Sequence, residues 1–268
     1  PIDHAQALKF FERFLVDYFF NFGPYQDAFD ADIDYGFHSL ISSSLNIGII
    51  APQVLIDKIL EYYQNEDIKI ESIEGFIRQI IGWREYVKAI YDIKKPEIKE
   101  SNFFELDKNL PDMFYTAKTE IRPVDKAIKR VIKNAYTHHI ERLMVLGNIM
   151  LLLSISPDEV YRWFMELFID SYDWVMTPNI YGMSQFAYPE MMTKPYISSS
   201  NYILKMSHYK EKQWTEIWDS LYWTFINKNK KKLSNIQRMR LMLSIIKEMD
   251  QNKLDKYQEN AERYIKNI

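Results

Sequence analysis

The sequence predicts a mainly α-helical protein that forms one domain. Apolar residues recur at helical spacing along most of the chain, and glycine is scarce, with 7 among 268 residues. Aromatic side chains make up 15% of the chain, which is enough to fill a large core. A chain of this length can bury such a core within one domain, and no internal repeat suggests a solenoid.

The individual helices are predicted from the same spacing. The first covers residues 4–21 and stops at the Phe-Gly-Pro sequence there. Residues 25–64 indicate a polar loop, a Ser-rich turn, a short helix and a longer helix that begins after Pro52. Further helices are predicted over residues 70–92, 124–153, 157–170 and 235–266.

Residues 171–208 lack a helical pattern and mix proline, glycine, serine, tyrosine and methionine. The segment is too long and too aromatic for a simple linker. Because long irregular segments inside compact domains commonly carry function, we predict that it forms a wall of a cofactor site.

The composition excludes several classes of protein. The chain has no cysteine, so disulfides, a thiol nucleophile and thiolate metal sites are excluded, which fits a cytoplasmic protein. No apolar run approaches ~18 residues and no signal peptide is visible, so we expect no membrane span. A net charge of −3 argues against a uniformly basic nucleic-acid binder but leaves a local basic face open. We expect a monomer.

His138 and His139 stand side by side in an apolar stretch that is predicted to be helical. Helix neighbours point about 100° apart, so one histidine is expected to face the core and the other a cavity. A metal site explains the pair poorly, because adjacent histidines are badly spaced for one ion and no carboxylate–histidine pattern accompanies the others. The ordinary alternative is a hydrogen-bonded core or surface histidine.

Three stretches together resemble the helical, flavin-binding half of the photolyase/cryptochrome family. They are HSLISSSLNIGIIAP at 38–52, FIRQIIGWREYVKAIY at 76–91 and HHIERLMVLGNIMLLLSISPDEVYRWFMELFID at 138–170. Residues 182–209 narrow the resemblance to the bacterial branch that ordinarily carries an iron–sulfur cluster. The resemblance extends from about residue 22 to about residue 225.

This resemblance implies that residues 1–268 form the helical FAD-binding domain, without the N-terminal α/β antenna domain of the family. The chain could be a fragment of a longer protein that carries the antenna domain, or a member of a short type without it, and the start at Pro1 rather than methionine favours a fragment. The resemblance also implies FAD as the cofactor. The residues that match the family's FAD contacts are Tyr25, His38, Ser39, Ile41, Ser42, Arg84, Arg142, Asp170, Tyr172 and Met176.

Some of these assignments also make physical sense, and each has an ordinary alternative. A Ser-rich turn supplies hydroxyl and backbone donors to a pyrophosphate, although a Ser cluster alone would be an N-cap turn. Arg142 and Asp170 match the pair at the isoalloxazine ring, and they could equally be a salt bridge between helices. Tyr172 stands where an Asp is usual, so this position lacks the usual carboxylate. Met176 stands at the position facing flavin N5, where its sulfur cannot donate a hydrogen bond.

The resemblance assigns further residues to the substrate and to electron transfer. Gln79, Trp83, Tyr196 and Tyr202 match the pocket for the damaged bases, although Trp83 alone could be a core residue. Trp163 matches the tryptophan near the flavin, and Tyr115 stands where a distal tryptophan is usual. Phe164 replaces a tyrosine of the relay, so we expect the relay to be weakened.

The positions that match the iron–sulfur ligands contain no cysteine, so we predict that the cluster is lost. We expect Trp214 and Trp218 to fill that space. The positions are Pro123, Lys210, Gln213 and Glu216.

The resemblance therefore implies a light-driven DNA photolyase, a carbon–carbon lyase that acts on UV-damaged DNA. Members of this branch repair the (6-4) photoproduct, for which His139 would be the proton donor and His138 the next candidate. A cryptochrome-like blue-light photoreceptor without repair activity is the main alternative. A domain that has lost FAD and serves as a DNA-binding or scaffold module is a third.

Overall fold

The computed structural model describes residues 1–210 and 212–268, and over these residues the chain is all-α. No β-strand forms within that part, where an isolated parallel bridge joins Lys108 and Ile155. The α-helices are α1 (His4–Asp17), α2 (Phe19–Tyr25), α3 (Ser42–Asn46), α4 (Pro52–Asn65), α5 (Ile70–Ile77), α6 (Glu85–Glu100), α7 (Met113–Thr116), α8 (Arg122–Asn134), α9 (Asn148–Leu152), α10 (Pro157–Leu167), α11 (Asp173–Thr177), α12 (Ser200–Met206), α13 (Thr215–Lys228), α14 (Lys230–Leu233), α15 (Arg240–Glu248) and α16 (Gln251–Lys266).

Three π-helical segments continue or precede these helices. Arg78–Arg84 joins α5 to α6, Glu141–Gly147 leads into α9, and Pro178–Ser184 follows α11. A π-helical turn inserts one extra residue into an α-helix and is frequent at functional sites. All three segments contribute side chains to one cavity.

Buried apolar side chains of the described residues form two clusters. The small core lies among α1, α2, α4 and α5, where five phenylalanine rings pack with centroids 5.6–6.4 Å apart. The main core includes α8, α9, α10 and α13 and is mostly aliphatic, with two buried tryptophans from α10 and α13. Phe76 and Ile80 of the small core and Ile140 and Met176 of the main core face the same cavity.

The predicted helical fold class is confirmed, but the first helix ends differently from the prediction. The helix at 4–17 breaks at Tyr18, and a second helix then passes through Gly23 and Pro24 to Tyr25. Glycine suits this position because a Cβ at residue 23 would collide with the backbone of Glu71 and Ser72. Gly23 therefore marks a close contact with α5, and the helix ends one residue after Pro24.

The prediction of one helix over 124–153 is wrong. Helix α8 ends at Asn134, and Ala135 adopts a left-handed conformation with φ 50°. The carbonyl of Ala135 accepts the N–H of Ile169 from a distant loop, so tertiary structure stabilises this break. The two histidines consequently lie at the start of a new helix and not inside one.

Other regions also differ from the prediction. Residues 235–266 form two helices, because Asp250 accepts the backbone N–H of Lys253 and starts α16. Helix α13 was not predicted. Residues 171–208 contain α11, the third π-helical segment and α12. In the described part of the chain, no helix has the length and apolar character needed to cross a membrane.

Candidate functional site

A cavity of about 820 Å³ lies between the small core and the main core. Its walls come from the end of α2, the turn before α3, the three π-helical segments and the loop before α11. Residues 174–196 contribute one wall, mostly from α11 and the third π-helical segment, and the role of this wall in a cofactor site stays a prediction. The predicted site residues that line the cavity are His38, Ser39, Ile41, Ser42, Gln79, Trp83, Arg84, His139, Arg142, Asp170, Met176 and Tyr196.

Asp170 connects the two sides of this cavity. One carboxylate oxygen accepts a hydrogen bond from Arg142 Nη1 at 2.9 Å, and the other accepts the Ser42 hydroxyl at 2.8 Å. The backbone oxygen of Asp170 accepts Asn46 Nδ2 at 2.8 Å. Burial alone would raise the pKa of Asp170, but Arg142 and Ser42 outweigh burial and hold the pKa below its usual value. Asp170 is therefore ionised and buried, and its contacts with Arg142, Ser42 and Asn46 link the two cores. We call these contacts the joint at Asp170.

Arg142 is held rigidly at the cavity wall. Its Nε donates to the Thr137 carbonyl at 2.8 Å, and its guanidinium lies over the rings of Phe168 and Tyr136, at 4.4 and 5.0 Å. Together with Asp170, these contacts fix the planar guanidinium in one orientation. The cavity wall thus presents the Arg142–Asp170 ion pair in one fixed arrangement.

The turn before α3 places hydroxyl groups on the opposite wall. Leu40 has φ 53°, a left-handed conformation that is unfavourable for leucine by about 1 kcal/mol. This turn brings both Ser39 and Ser42 to the cavity. The Ser42 hydroxyl is used by Asp170, whereas Ser39 makes one long hydrogen bond, 3.5 Å from its Oγ to the Ile41 N–H.

Arg84 offers a further donor to the cavity. Its Nη1 pairs with Glu85 at 2.6 Å, and its guanidinium lies 5.1 Å from the Trp174 ring centroid. The Nε atom is buried and has no hydrogen-bond partner within the described chain. An unsatisfied buried N–H on a cationic side chain is a suitable donor for an anionic group in the cavity.

A buried ion pair anchors the loop that leads to this turn. Arg130 Nη1 binds the fully buried Glu141 at 2.5 Å, and Arg130 Nη2 donates to the carbonyls of Asp30 and Ala31 at 3.2 and 3.0 Å. Thr137 donates a short hydrogen bond to the same glutamate. Because α8 thereby holds the loop at Asp30 and Ala31, the main core determines the position of the turn that carries Ser39 and Ser42.

The two adjacent histidines have different environments. His138 is buried at 4% exposure, whereas the His139 side chain is half exposed and lines the cavity, as predicted for such a pair. His139 Nε2 lies 3.0 Å from Asp27, and hydrogen bonding to His139 lowers the pKa of Asp27. Burial lowers the pKa of His138, so its imidazole is neutral at pH 7.

A third histidine completes this group from a distant part of the chain. His38 Nε2 lies 2.7 Å from His138 Nε2, and the ring centroids are 4.4 Å apart. Burial, followed by the charge of His139, lowers the pKa of His38 to about 4. One nitrogen from each of the three imidazoles lies within 4.8 Å of the other two, so adjacent positions in the sequence do not by themselves exclude a metal ion.

The hydrogen bonds of His138 nevertheless disfavour a metal centre at this group. The backbone N–H of Ile140 donates to His138 Nδ1 at 3.1 Å, which places the His138 proton on Nε2 facing His38. A neutral imidazole that binds a metal through one nitrogen must carry its proton on the other. His138 would have to break its contact with Ile140 to become a ligand.

Several predicted residues lie away from the cavity wall. Tyr25 is half exposed and packs beside Phe37, with ring centroids 5.5 Å apart. Tyr172 is the N-cap residue of α11, and Tyr202 packs on the main core. Ligand contacts of these three residues stay predictions. In the described chain, the predicted residues outside the cavity lining are Tyr25, Tyr115, His138, Trp163, Tyr172 and Tyr202.

The proposed relay residues are placed in sequence behind the wall. Phe164 lines the cavity, and Trp163 packs edge-on against it at 5.2 Å between ring centroids. Trp163 is fully buried, whereas Tyr115 is 37% exposed. Trp163 is therefore not a wall residue but lies one ring behind the wall.

Some residues of the site were not predicted from the sequence. Asn179 accepts a hydrogen bond from the Trp83 indole at 3.2 Å, and Trp174 stacks under Arg84. Asn46 binds the backbone of Asp170 and lies one helical turn after Ser42, a spacing that could have identified it. The two others lie in the irregular segment, where periodicity gives no signal.

The region that matches the iron–sulfur ligands is filled by aromatic side chains. Trp214 and Trp218 are buried there, with ring centroids 6.0 Å apart, and Tyr209 packs against Trp214. Pro123 is buried in α8, while Lys210 is exposed. Whether these rings take the space of a lost cluster stays a prediction.

Comparison with known proteins gives close sequence relatives. No protein-family model matches the chain. It is 40% identical over 249 residues to the (6-4) photolyase of Agrobacterium fabrum, covering 89% of this chain and 49% of that protein. The uncharacterized protein R855 of Acanthamoeba polyphaga mimivirus is 51% identical over 88 residues, which are 32% of this chain and 72% of R855.

Two solved structures share the fold. A bacterial class III photolyase from Agrobacterium tumefaciens matches with a TM-score of 0.60 and 18% identity over 99% of this chain and 56% of that chain. The cryptochrome of Synechocystis sp. PCC6803 matches with a TM-score of 0.57 and 13% identity, covering 98% and 55%. The chain spans about half the length of these two proteins and of the (6-4) photolyase.

Proposed function

Because the chain belongs to the photolyase/cryptochrome family, we propose that it is the FAD-binding domain of a light-driven DNA photolyase whose substrate is the (6-4) photoproduct. The observation that carries this proposal is the joint at Asp170, where Arg142 and Ser42 meet from opposite cores at the cavity. Such a joint positions a ligand that touches both cores. Ultraviolet-damaged DNA is the proposed partner.

The cavity residues fit FAD in charge and donor type. The cavity volume of about 820 Å³ lies in the range of sites for large organic ligands. The unsatisfied Nε of Arg84 and the Ser39 hydroxyl are suitable donors for a pyrophosphate. Arg142 and Asp170 would hold the isoalloxazine ring. When bound and reduced, this group would supply, on absorbing blue light, the electron for repair.

The protein's own part in repair is to bind the lesion and to hold a proton. Trp83 is kept in place by Asn179 and offers a flat wall to unstacked bases, with the exposed Gln79 nearby. His139 is the exposed histidine of the group and has Asp27 as its partner. His138 is neutral and buried, so His139 is the better proton donor.

The first test is flavin binding followed by illumination. We expect the purified protein to bind FAD stoichiometrically, as measured by its visible absorbance after desalting. Under blue light and a reductant, the holoprotein should repair an oligonucleotide that contains a (6-4) photoproduct faster than one that contains a cyclobutane dimer. Failure to retain FAD, or both lesions remaining intact, would refute the proposal.

A cryptochrome-like photoreceptor is the second candidate. Met176 is buried on the cavity wall and Phe164 stands in the relay, so neither supplies the hydrogen-bonding or oxidisable group that would be usual there. Lesion binding discriminates the two functions. A photoreceptor would bind damaged and undamaged duplexes equally, whereas a photolyase should prefer the damaged one.

A further inference from the structure

Trp163 is connected to the surface through a peptide group. Its indole Nε1 donates a hydrogen bond to the carbonyl oxygen of Phe114 at 3.1 Å. That carbonyl belongs to the peptide that joins Phe114 to Tyr115. The buried ring that lies one layer behind the cavity thus touches the backbone that carries a partly exposed tyrosine.

Tyr115 faces a carboxylate on the helix that carries Trp163. The phenol donates to Glu166 Oε2 at 2.7 Å, and Glu166 lies three residues after Trp163 on α10. Arg162, on the same helix, lies 3.7 Å from the other carboxylate oxygen. Burial and the hydrogen bond to Glu166 raise the pKa of Tyr115, so the phenol keeps its proton in the resting protein.

An oxidised phenol is a strong acid and loses its proton as it loses an electron. A base must therefore lie within about 2.6–3.2 Å of the oxygen, and Glu166 meets this requirement. We propose that Glu166 accepts the phenolic proton of Tyr115 when Tyr115 reduces oxidised Trp163, which makes this pair the outer end of the electron relay.

The step balances in electrons and protons. One electron passes from Tyr115 to the Trp163 radical cation, and the phenolic proton passes to the Glu166 carboxylate. The products are a neutral indole, a neutral tyrosyl radical and a protonated Glu166. In the holoprotein the oxidant of Trp163 would be a photoexcited oxidised flavin, so this assignment rests on the proposed function.

Pulse radiolysis of the flavin-free protein tests the proton acceptor directly. Azide radicals oxidise tryptophan, and the transfer to tyrosine is followed by the absorbance of the two radicals. We expect Tyr115→Phe to remove one transfer phase and Glu166→Gln to slow that phase at least about tenfold. A Glu166→Gln rate equal to wild type, or an unchanged phase in Tyr115→Phe, would overturn the proposal.

The chain offers a matched control in the Tyr188–Glu190 pair. Its phenol also donates to a glutamate at 2.7 Å, but it lies beside α6 near Glu97. Glu190→Gln should leave the transfer phase unchanged, and an equal slowing in this variant would refute a specific role of Glu166. Because these measurements use no flavin, they distinguish failure of this proposal from failure of FAD binding.

A Tyr115→Trp background sharpens the test in the holoprotein. An indole radical cation needs no immediate proton acceptor, so Glu166→Gln should slow flavin photoreduction with Tyr115 but not with Trp at that position. An equal effect of Glu166→Gln in both backgrounds would show that Glu166 acts through charge or structure, and would contradict proton transfer.

Discussion

The small core and the main core hold their helices together by different means. In the small core, phenylalanine rings from α1, α2 and α5 interlock around one centre. In the main core, helices α8 to α10 bury nearly continuous aliphatic side chains, and the buried carboxylates Glu141 and Asp170 each pair with an arginine. The helix that runs from α5 through Arg78–Arg84 into α6 carries residues of both cores. Across the cavity, polar contacts at Asp170 and between His38 and His138 also join them.

This difference distinguishes the contacts that stabilise each core from the contacts that join the two cores. Apolar packing stabilises each core by itself, whereas the cavity between them is held by a shared helix and a few buried hydrogen bonds. Since polar contacts are worth less than apolar burial but depend strongly on geometry, the cavity is the part most sensitive to single changes. A ligand that contacts both cavity walls would further stabilise the association of the two cores.

The change Asp170→Ala should break the joint and have the largest effect. It leaves the Arg142 charge without its carboxylate partner and removes the acceptor of Ser42. We expect a loss of about 4 kcal/mol in the free energy of unfolding, as measured in urea, together with loss of flavin binding. A loss below about 1 kcal/mol would show that the cores do not depend on this residue.

Phe14→Ala should separate the unfolding transitions of the two cores. Phe14 is buried at 3% exposure among four other rings, so truncation should cost about 3 kcal/mol in the small core. The tryptophans all lie after residue 82, outside that core. Helical circular dichroism should therefore fall at lower urea than tryptophan fluorescence changes. Coincident transitions would show that the two cores unfold as one unit.

The His38–His138 contact should make the joint sensitive to acid. The pKa of His38 is lowered to about 4, below the unfolded value, so the unfolded state binds the proton more readily. Stability should thus be fully present above pH 6.5 and fall by roughly 3 kcal/mol as the pH drops to 4. The free energy of unfolding of His38→Gln should fall less steeply between pH 6.5 and 4 than that of the wild type. Parallel pH profiles of the two proteins would contradict a role of His38.

His139→Ala should have the smallest effect on stability and a specific effect on repair. The side chain is half exposed, so the free energy of unfolding should change by less than about 0.5 kcal/mol and FAD should stay bound. Repair of the (6-4) lesion should fall by roughly 10²-fold or more. Repair that survives would move the proton donor to His138 or refute the mechanism.

Some of the site was predictable because its residues lie in local patterns. The Ser-rich turn, the Arg142–Asp170 pair and the irregular wall were all placed on the cavity from sequence. The break at Ala135 was not predicted, because a hydrogen bond from Ile169 stabilises it. His38 was predicted as a cofactor residue, but its contact with His138 depends on two segments that fold together.

The three π-helical segments make the cavity depend on the number of residues and not only on their identity. One extra residue rotates the following part of a helix by about 100°, so Trp83 and Arg84 point where they do because of a count upstream. Removing Gly82, whose Cβ position faces open space, would leave every other side chain of that helix present. It would still turn the side chains that follow, Trp83 and Arg84 among them, away from the cavity.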